Sequence, residues 1–183
     1  GTHRAVKRAQ KFMRSGFHYY KSDIRKYFDS VDHEVLLGLV SRKIKDGKVL
    51  ELVERIIRNS DVSRGLSCGK GLPVGNLTSQ FFANVYLSPL DHFAKDQMGV
   101  KCYVRYMDDM VIFADSRVYL KEVMAELKTF LNDELKLSLN PRSTFLNSRR
   151  SGLPFLGFRI FPRLIRVKRE NLKRVKGKLK KRK

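Results

Sequence analysis

The sequence has little cysteine. It holds 2 cysteines, Cys68 and Cys102, and 4 histidines among 183 residues, with no C-x-x-C motif and no clustered histidine pair. This spacing fits neither a disulfide framework nor a structural zinc site. Because disulfides belong to oxidising compartments, the plain expectation is a reduced, cytoplasmic protein.

Long apolar runs are also missing. Runs such as residues 110–114 are far shorter than the roughly 20 apolar residues that a transmembrane helix needs. Nothing with the pattern of a signal peptide precedes them, so we expect a soluble chain with no membrane partner. With 42% hydrophobic and 10% aromatic residues, the chain can bury the core of one compact domain and is too apolar to be wholly disordered.

Acidic residues are few and unevenly placed. The chain holds 39 Lys+Arg and 18 Asp+Glu, a net charge of +21. Residues 142–183 carry net +15 and residues 1–26 carry net +7, whereas residues 27–141 carry net −1. A basic globular chain of this kind most often binds a polyanion, so nucleic acid is the first partner to consider.

The apolar periodicity predicts an α+β fold. Helical spacing is seen in five segments: residues 2–15, 32–46, 49–57, 77–90 with a bend near Pro89, and 115–131. Strand-like runs lie at residues 18–24, 100–105, 110–114, 144–146, 155–160 and 164–167, and the glycine-rich residues 64–75 read as a loop. This order fits an antiparallel sheet covered by helices on one face.

Two adjacent acids, Asp108 and Asp109, lie at the expected turn between two strands. Adjacent carboxylates repel each other, so the turn needs either full solvation or a cation. Asp23 ends another strand, and if the strands are neighbours, three carboxylates converge. Such an oxygen set can hold two Mg²⁺ ions for phosphoryl chemistry. The simpler alternative is a solvent-facing turn.

Four motifs occur in a fixed order. They are Asp-Ile-Arg-Lys-Tyr-Phe-Asp at residues 23–29, Gly-Leu-Pro-Val-Gly-Asn-Leu-Thr-Ser-Gln at 71–80, Tyr-Met-Asp-Asp at 106–109 and Phe-Leu-Gly-Phe at 155–158. Together they resemble the finger–palm core of reverse transcriptases, which are RNA-directed DNA polymerases. The resemblance implies a polymerase palm with a ferredoxin-like or RRM-like antiparallel sheet.

The resemblance also implies a domain division. Residues 1–16 would be a partial fingers helix, residues 17–168 the palm with embedded fingers helices, and residues 169–183 the truncated start of a thumb. We therefore expect an excised piece of a longer enzyme, encoded by a bacterium or a phage.

Site residues follow from the same resemblance. Asp23 and Asp108 would bind two Mg²⁺ ions, for which Mn²⁺ can substitute, with Asp109 assisting and the Ile24 carbonyl as a backbone ligand. Phe28 lies where the family has its steric gate against ribonucleotides, although a ring that only packs in the core would give the same sequence. The remaining expected contacts are Pro73, Val74, Gly75 and Gln80 with the incoming dNTP, and Tyr106, Met107, Phe155, Leu156 and Gly157 with the DNA primer and RNA template.

Two departures from the family pattern stand out. Val74 replaces the common Gln, as in reverse transcriptases of diversity-generating retroelements, where an apolar residue is associated with error-prone copying and an accessory protein is a further expected partner. Neutral variation at Val74 is the alternative. The chain has Asn140-Pro-Arg-Ser143 where the family often has a lysine that protonates pyrophosphate, and Arg142 is a poor proton donor.

Three classes of function stay open on sequence alone. The first is a reverse transcriptase core, of retroelement, group II intron, retron or defence type. The second is a fragment that binds nucleic acid but does not catalyse by itself. The third is a basic RNA-binding protein of ribosomal type, in which the acids of the turn are incidental.

Overall fold

The structure is a computed structural model that describes residues 1–59, 68–73, 75–169, 171–173 and 177. The chain divides into two compact units. The first, here called the sheet unit, comprises Gly1–Ser22, Cys102–Glu122 and Thr144–Lys183. The second, the helical unit, comprises Asp23–Lys101 and Val123–Ser143. Among the described residues, no helix combines the length and the apolar character needed to cross a membrane.

In the described part of the sheet unit, the first residues of a helix shared with the other unit accompany a long helix and seven strands. These are α1 (Thr2–Ser15), β1 (His18–Ser22), β2 (Tyr103–Tyr106), β3 (Asp109–Ala114), β4 (Phe145–Ser148), β5 (Leu153–Phe155), β6 (Phe158–Ile160) and β7 (Ile165–Val167). Strands β2-β3-β1-β4 form an antiparallel sheet in that order, and β5-β6-β7 form a second one. With helices between β1 and β2 and between β3 and β4, the first sheet has the ferredoxin-like order that the motifs predicted.

The core of the sheet unit lies under α1. Val6, Ala9 and Met13 recur at helical spacing and are buried in one cluster with residues of both sheets, including Tyr19 and Val111. Gly16 ends α1, because a Cβ at this position would lie 3.0 Å from the Ala114 nitrogen. A larger residue would therefore push the helix end away from β3.

The helical unit is built from short helices. They are α2 (Tyr27–Ser30), α3 (His33–Ser41), α4 (Gly47–Arg58), α5 (Leu77–Tyr86), α6 (Ser88–His92) and most of α7 (Arg117–Asp133), with a π-helical turn at Phe93–Gln97. Asp32 caps α3, since its Oδ1 accepts a hydrogen bond from the Val35 nitrogen at 3.1 Å.

Three predicted boundaries are wrong. The helix predicted over residues 32–46 does not run to Asp46, because α3 ends at Ser41 and Asp46 instead caps α4, accepting from the Val49 nitrogen at 3.0 Å. Pro89 does not bend α5 but lies in the first turn of α6, where its missing N–H costs nothing. Residues 155–160 are not one strand, since a turn separates β5 from β6. Of the predicted loop, residues 68–73 are neither helix nor strand, and residues 64–67 lie outside the described part of the chain.

Candidate active site

Strands β2 and β3 are joined by a two-residue turn, Met107 and Asp108. Tyr106 pairs with Asp109 across the hairpin, and Met107 adopts a positive φ of 56°. Tight hairpin turns require this backbone conformation. Arg105 fixes the turn by donating from Nη1 to the Met107 carbonyl at 2.9 Å. Asp108 therefore lies at the tip and Asp109 begins β3, and both are partly buried rather than fully solvated.

Asp109 forms an ion pair within the sheet unit. The Lys21 Nζ lies 2.6 Å from Asp109 Oδ1, and the two side chains are only 10% and 20% exposed. Lys21 comes from the middle of β1, where it lies opposite Val111 of β3. Lys21 thus provides a positive charge for Asp109, one of the two acids at this turn.

Sequence reasoning did not identify Lys21. The one available signal was a lysine between two tyrosines and a serine in a strand that is otherwise buried. A lysine at such a position needs a counter-ion, but the sequence does not show which acid supplies it.

Asp23 follows β1 directly and belongs to the helical unit. Asn140 holds it twice: the Asn140 nitrogen donates to the Asp23 carbonyl at 2.8 Å, and Asn140 Nδ2 donates to Asp23 Oδ2 at 3.3 Å. The amide of Asn140 is itself anchored, accepting from the Arg142 nitrogen and donating to Ser143 Oγ, each at 3.2 Å. Asn140 is a second residue that sequence reasoning missed, although its Asn-Pro turn was visible.

The backbone at Ile24 is oriented by a bridge to Leu139. This bridge uses the Asp23 carbonyl and the Arg25 nitrogen, which bond to Asn140 and Ser138. Because carbonyls alternate along an extended chain, the Ile24 carbonyl points to the opposite side of the strand. The role of the Ile24 carbonyl as a backbone ligand stays a prediction.

Phe28 and the glycine-rich loop are connected in the helical unit. The Leu72 nitrogen donates to the Phe28 carbonyl at 2.7 Å, and His33, which is fully buried, donates from Nε2 to the Gly71 carbonyl at 2.7 Å. Gly71 takes a φ of 101°, which favours glycine. The structure therefore brings Phe28, half-buried against Tyr27, to the loop that carries Pro73.

The other predicted nucleotide contacts are less defined. Gly75 and Gln80 are exposed at the start of α5, and Gly75 has a φ of 107°. Val74 lies outside the described residues.

The β5–β6 hairpin carries the predicted primer contacts. Phe155 pairs with Phe158, and Leu156 and Gly157 between them both take positive φ, which defines a type I′ turn. The Gly157 carbonyl is fixed by the Lys168 nitrogen at 3.0 Å. Phe155 itself is fully buried in the core, so its ring serves packing. Contact of the turn residues Leu156 and Gly157 with a primer stays a prediction.

The donor types of the candidate site fit Mg²⁺, because carboxylates and a backbone carbonyl are the hard oxygen ligands that this ion prefers. Among the described residues, no three acidic, histidine or cysteine side chains are grouped to hold a metal ion. Asp23 belongs to the helical unit, and Asp108 and Asp109 belong to the sheet unit. The three-carboxylate metal site stays a prediction.

An antiparallel sheet of ferredoxin-like order, with two adjacent acids in its central hairpin turn, is a polymerase palm. Residues 3–160 match the family described as reverse transcriptase (RNA-dependent DNA polymerase). The chain belongs to this reverse transcriptase family.

Known proteins resemble the chain in sequence and in structure. It is 25% identical over 174 residues to Protein YkfC of Escherichia coli K12, covering 76% of this chain and 46% of that protein. It is 24% identical over 244 residues to the group II intron-encoded protein LtrA of Lactococcus lactis subsp. cremoris, covering 98% of this chain and 40% of LtrA. The fold matches apo telomerase from Candida tropicalis, truncated from its C-terminal domain, with a TM-score of 0.71 at 13% identity, over 92% of this chain and 40% of that one. The chain thus spans less than half the length of these relatives.

Proposed function

We propose that this chain is the catalytic core of an RNA-directed DNA polymerase, which adds dNTPs to the 3′-hydroxyl of a DNA primer on an RNA template. The observation that carries the proposal is the Tyr106–Asp109 turn. It places Asp108 at the tip of the central hairpin of a palm sheet, in a chain whose residues 3–160 match the reverse transcriptase family.

The proposed chemistry uses Asp23 and Asp108, which would hold two Mg²⁺ ions with Asp109 and the Ile24 carbonyl in support. Divalent ions bound there stabilise the negative charge that develops at the reacting phosphates. The chain's own part is positioning: Asn140 fixes the Asp23 carboxylate, and Lys21 fixes Asp109. Carboxylates held in place before the substrate arrives do not have to reorganise during the reaction.

Selection of the nucleotide is proposed for the helical unit. The hydrogen bond from Leu72 ties the Phe28 backbone to the loop that carries Pro73. A bulky ring held rigidly beside this loop can exclude a ribose 2′-hydroxyl, which is the role of the family's steric gate.

The test is primer extension on an RNA template with Mg²⁺. Asp108→Asn keeps the size of the side chain and removes its charge, so extension should fall by about 10³-fold or more while binding of template–primer is retained. Asp133→Asn, at the exposed end of α7, is the matched control and should extend like the wild type. Equal extension by Asp108→Asn and the wild type would refute the polymerase proposal. Template–primer binding by the wild-type chain without any extension would favour a nucleic-acid-binding fragment instead.

Two subtypes of the proposed enzyme can be separated in the same assay. Val74 beside Gly75 favours an error-prone enzyme of a diversity-generating retroelement, with an accessory protein and a cytoplasmic location as parts of that proposal. The likeness to LtrA over 98% of this chain favours a group II intron type. Sequencing of the products decides: Val74→Gln should lower errors opposite template adenine in the first case and leave the error spectrum unchanged in the second.

A further inference from the structure

The sheet unit contains a basic cleft of about 930 Å³. Four arginines line it, together with the ring of Phe161: Arg14, Arg149, Arg163 and Arg166. None of the described residues that line the cleft is acidic. Like charges gathered in this way repel each other, and a bound anion would relieve that repulsion.

Hydrogen bonds and packing hold one wall of the cleft in place. The connection between β6 and β7 forms one wall, and α1 holds it with two side-chain bonds: Gln10 Nε2 donates to the Phe161 carbonyl at 3.2 Å, and Arg14 Nε donates to the Pro162 carbonyl at 2.9 Å. The ring of Phe161 fits over Gly152, where an added Cβ would lie only 2.6 Å from it. The wall is therefore fixed before any ligand arrives.

Aromatic rings hold the guanidinium groups in or beside the cleft. Arg166 lies over Phe161 at 5.7 Å, and Arg149 and Arg150 lie over Phe17 at 5.0 and 5.6 Å. A guanidinium above a ring can still donate N–H bonds to phosphate oxygens. Arg149 also donates from Nη1 to the Arg14 carbonyl at 3.4 Å. Asp115 accepts a bond from the Phe17 nitrogen at 3.0 Å and does not line the cleft.

The cleft lies at the end of the palm sheet opposite the acidic turn. The Arg149 nitrogen donates to the Phe17 carbonyl, next to His18, and His18 pairs with Ala114 at the far end of β3. Asp109 begins the same strand. At about 3.4 Å per residue, the length of β3 separates the two ends by roughly 17 Å.

We propose that this cleft is a second nucleic-acid site, which binds the phosphate backbone of a strand away from the catalytic turn. Stacked arginines beside a phenylalanine ring suit a flexible strand, whose phosphates and bases can both make contact. The site goes beyond the proposed polymerisation, because it requires no primer terminus, no dNTP and no metal ion.

The experiment measures binding of a single-stranded RNA to the chain in EDTA, by fluorescence anisotropy over a range of salt concentrations. Arg163→Gln with Arg166→Gln removes two exposed charges from the cleft. Affinity should fall about tenfold, and the slope of log K against log salt should fall by about 1.4, or 0.7 for each lost phosphate contact. The control Lys121→Gln with Lys128→Gln removes two exposed charges from α7 and should change the affinity less than about twofold.

Further arms make the outcome decisive. Arg163→Lys with Arg166→Lys keeps the charges and should keep most of the slope. A DNA strand of the same sequence separates the two phosphate sources. An equal loss of affinity for DNA and RNA shows backbone binding, and a larger loss for RNA shows contact with the 2′-hydroxyl.

Equal losses of affinity for the cleft and α7 variants would overturn the proposal, because charge alone would explain them. Polyglutamate serves as a model of an acidic protein partner in the same assay. If Arg163→Gln with Arg166→Gln weakens polyglutamate binding but not RNA binding, the proposal is overturned in favour of such a partner.

Discussion

The sheet unit and the helical unit differ sharply in charge. The segments of the sheet unit hold 24 Lys+Arg and 5 Asp+Glu, net +19, whereas those of the helical unit hold 15 and 13, net +2. Almost the entire excess of positive charge thus belongs to the sheet unit, which carries Asp108, Asp109 and the arginine cleft. A positive field of this kind attracts phosphates.

The two units also hold their polar groups in different ways. In the helical unit, the buried Tyr86 forms neutral hydrogen bonds to the backbone: it donates to the Leu135 carbonyl at 2.7 Å and accepts from the Asp32 nitrogen at 3.3 Å. Burial raises the pKa of Tyr86 far above its usual value, so the hydroxyl keeps its proton. The sheet unit instead buries an ion pair, Lys21 with Asp109. Disrupting these two arrangements should therefore lower the free energy of unfolding by different amounts.

The largest effect is expected for Lys21→Met, which keeps the length of the side chain and removes its charge. Asp109 then stays partly buried beside Asp108 and loses the positive charge of Lys21. The free energy of unfolding should fall by about 2–3 kcal/mol, less than for a fully buried pair because a fifth of the Asp109 side chain is exposed. Denaturant titration measures this loss.

The double variant Lys21→Met with Asp109→Asn is the control for charge. Once both charges are removed, most of the lost stability should return, because the partly buried carboxylate charge of Asp109 is removed together with that of Lys21. If the double variant is as unstable as Lys21→Met alone, the lysine acts through the packing of its aliphatic stem. The ion pair would then not distinguish the two units.

Local features of both units could be predicted from the sequence. The helix α1 has the predicted bounds, because Val6, Ala9 and Met13 follow a helical period and Gly16 ends it. The cap at Asp32 and the turn at Met107 and Asp108 are also local, since each depends on residues within a few positions. Such features need no knowledge of distant partners.

Features that depend on distant partners could not be predicted. Asp23 and Asn140 are 117 residues apart in the chain, and only the folded bridge at Ile24 brings them together. The partner of Lys21 likewise depends on strand register, because a shift of one residue would turn the lysine to the other face of the sheet. The arginine cleft was visible in sequence only as excess charge in the terminal segments.

A smaller effect, with a defined pH dependence, is expected at Asp32. Burial alone would raise its pKa, but bonds from Lys136 and the Val35 nitrogen, with the charges of Lys136 and Lys70, bring the pKa below its usual value. A lowered pKa in the folded state stabilises the fold above the unfolded pKa, about 3.9, and this contribution is lost as the pH falls through the folded pKa.

Two variants of Asp32 separate the cap from the charge. Asp32→Asn keeps a capping oxygen and should cost about 0.5 kcal/mol at pH 7, since Lys136 is half exposed, and close to nothing at pH 3. Asp32→Ala removes the cap as well and should cost about 1.5 kcal/mol at pH 7. Denaturation at both pH values measures the difference. An equal cost for Asp32→Asn at pH 7 and pH 3 would show that the charge does not stabilise the helical unit.

The smallest effect is expected for Glu51→Gln on α4. Glu51 Oε1 and Arg55 Nη2 lie 2.6 Å apart, the same separation as Lys21 and Asp109, yet these side chains are 62% and 75% exposed. Water screens the exposed pair and the two flexible side chains lose conformational freedom when they meet, so the variant should lose less than about 0.5 kcal/mol. The loss should vanish in about 1 M salt, where charges are screened within about 3 Å. A loss that matches that of Lys21→Met would mean that separation rather than burial sets the strength of these pairs, and the contrast between the two units would fail.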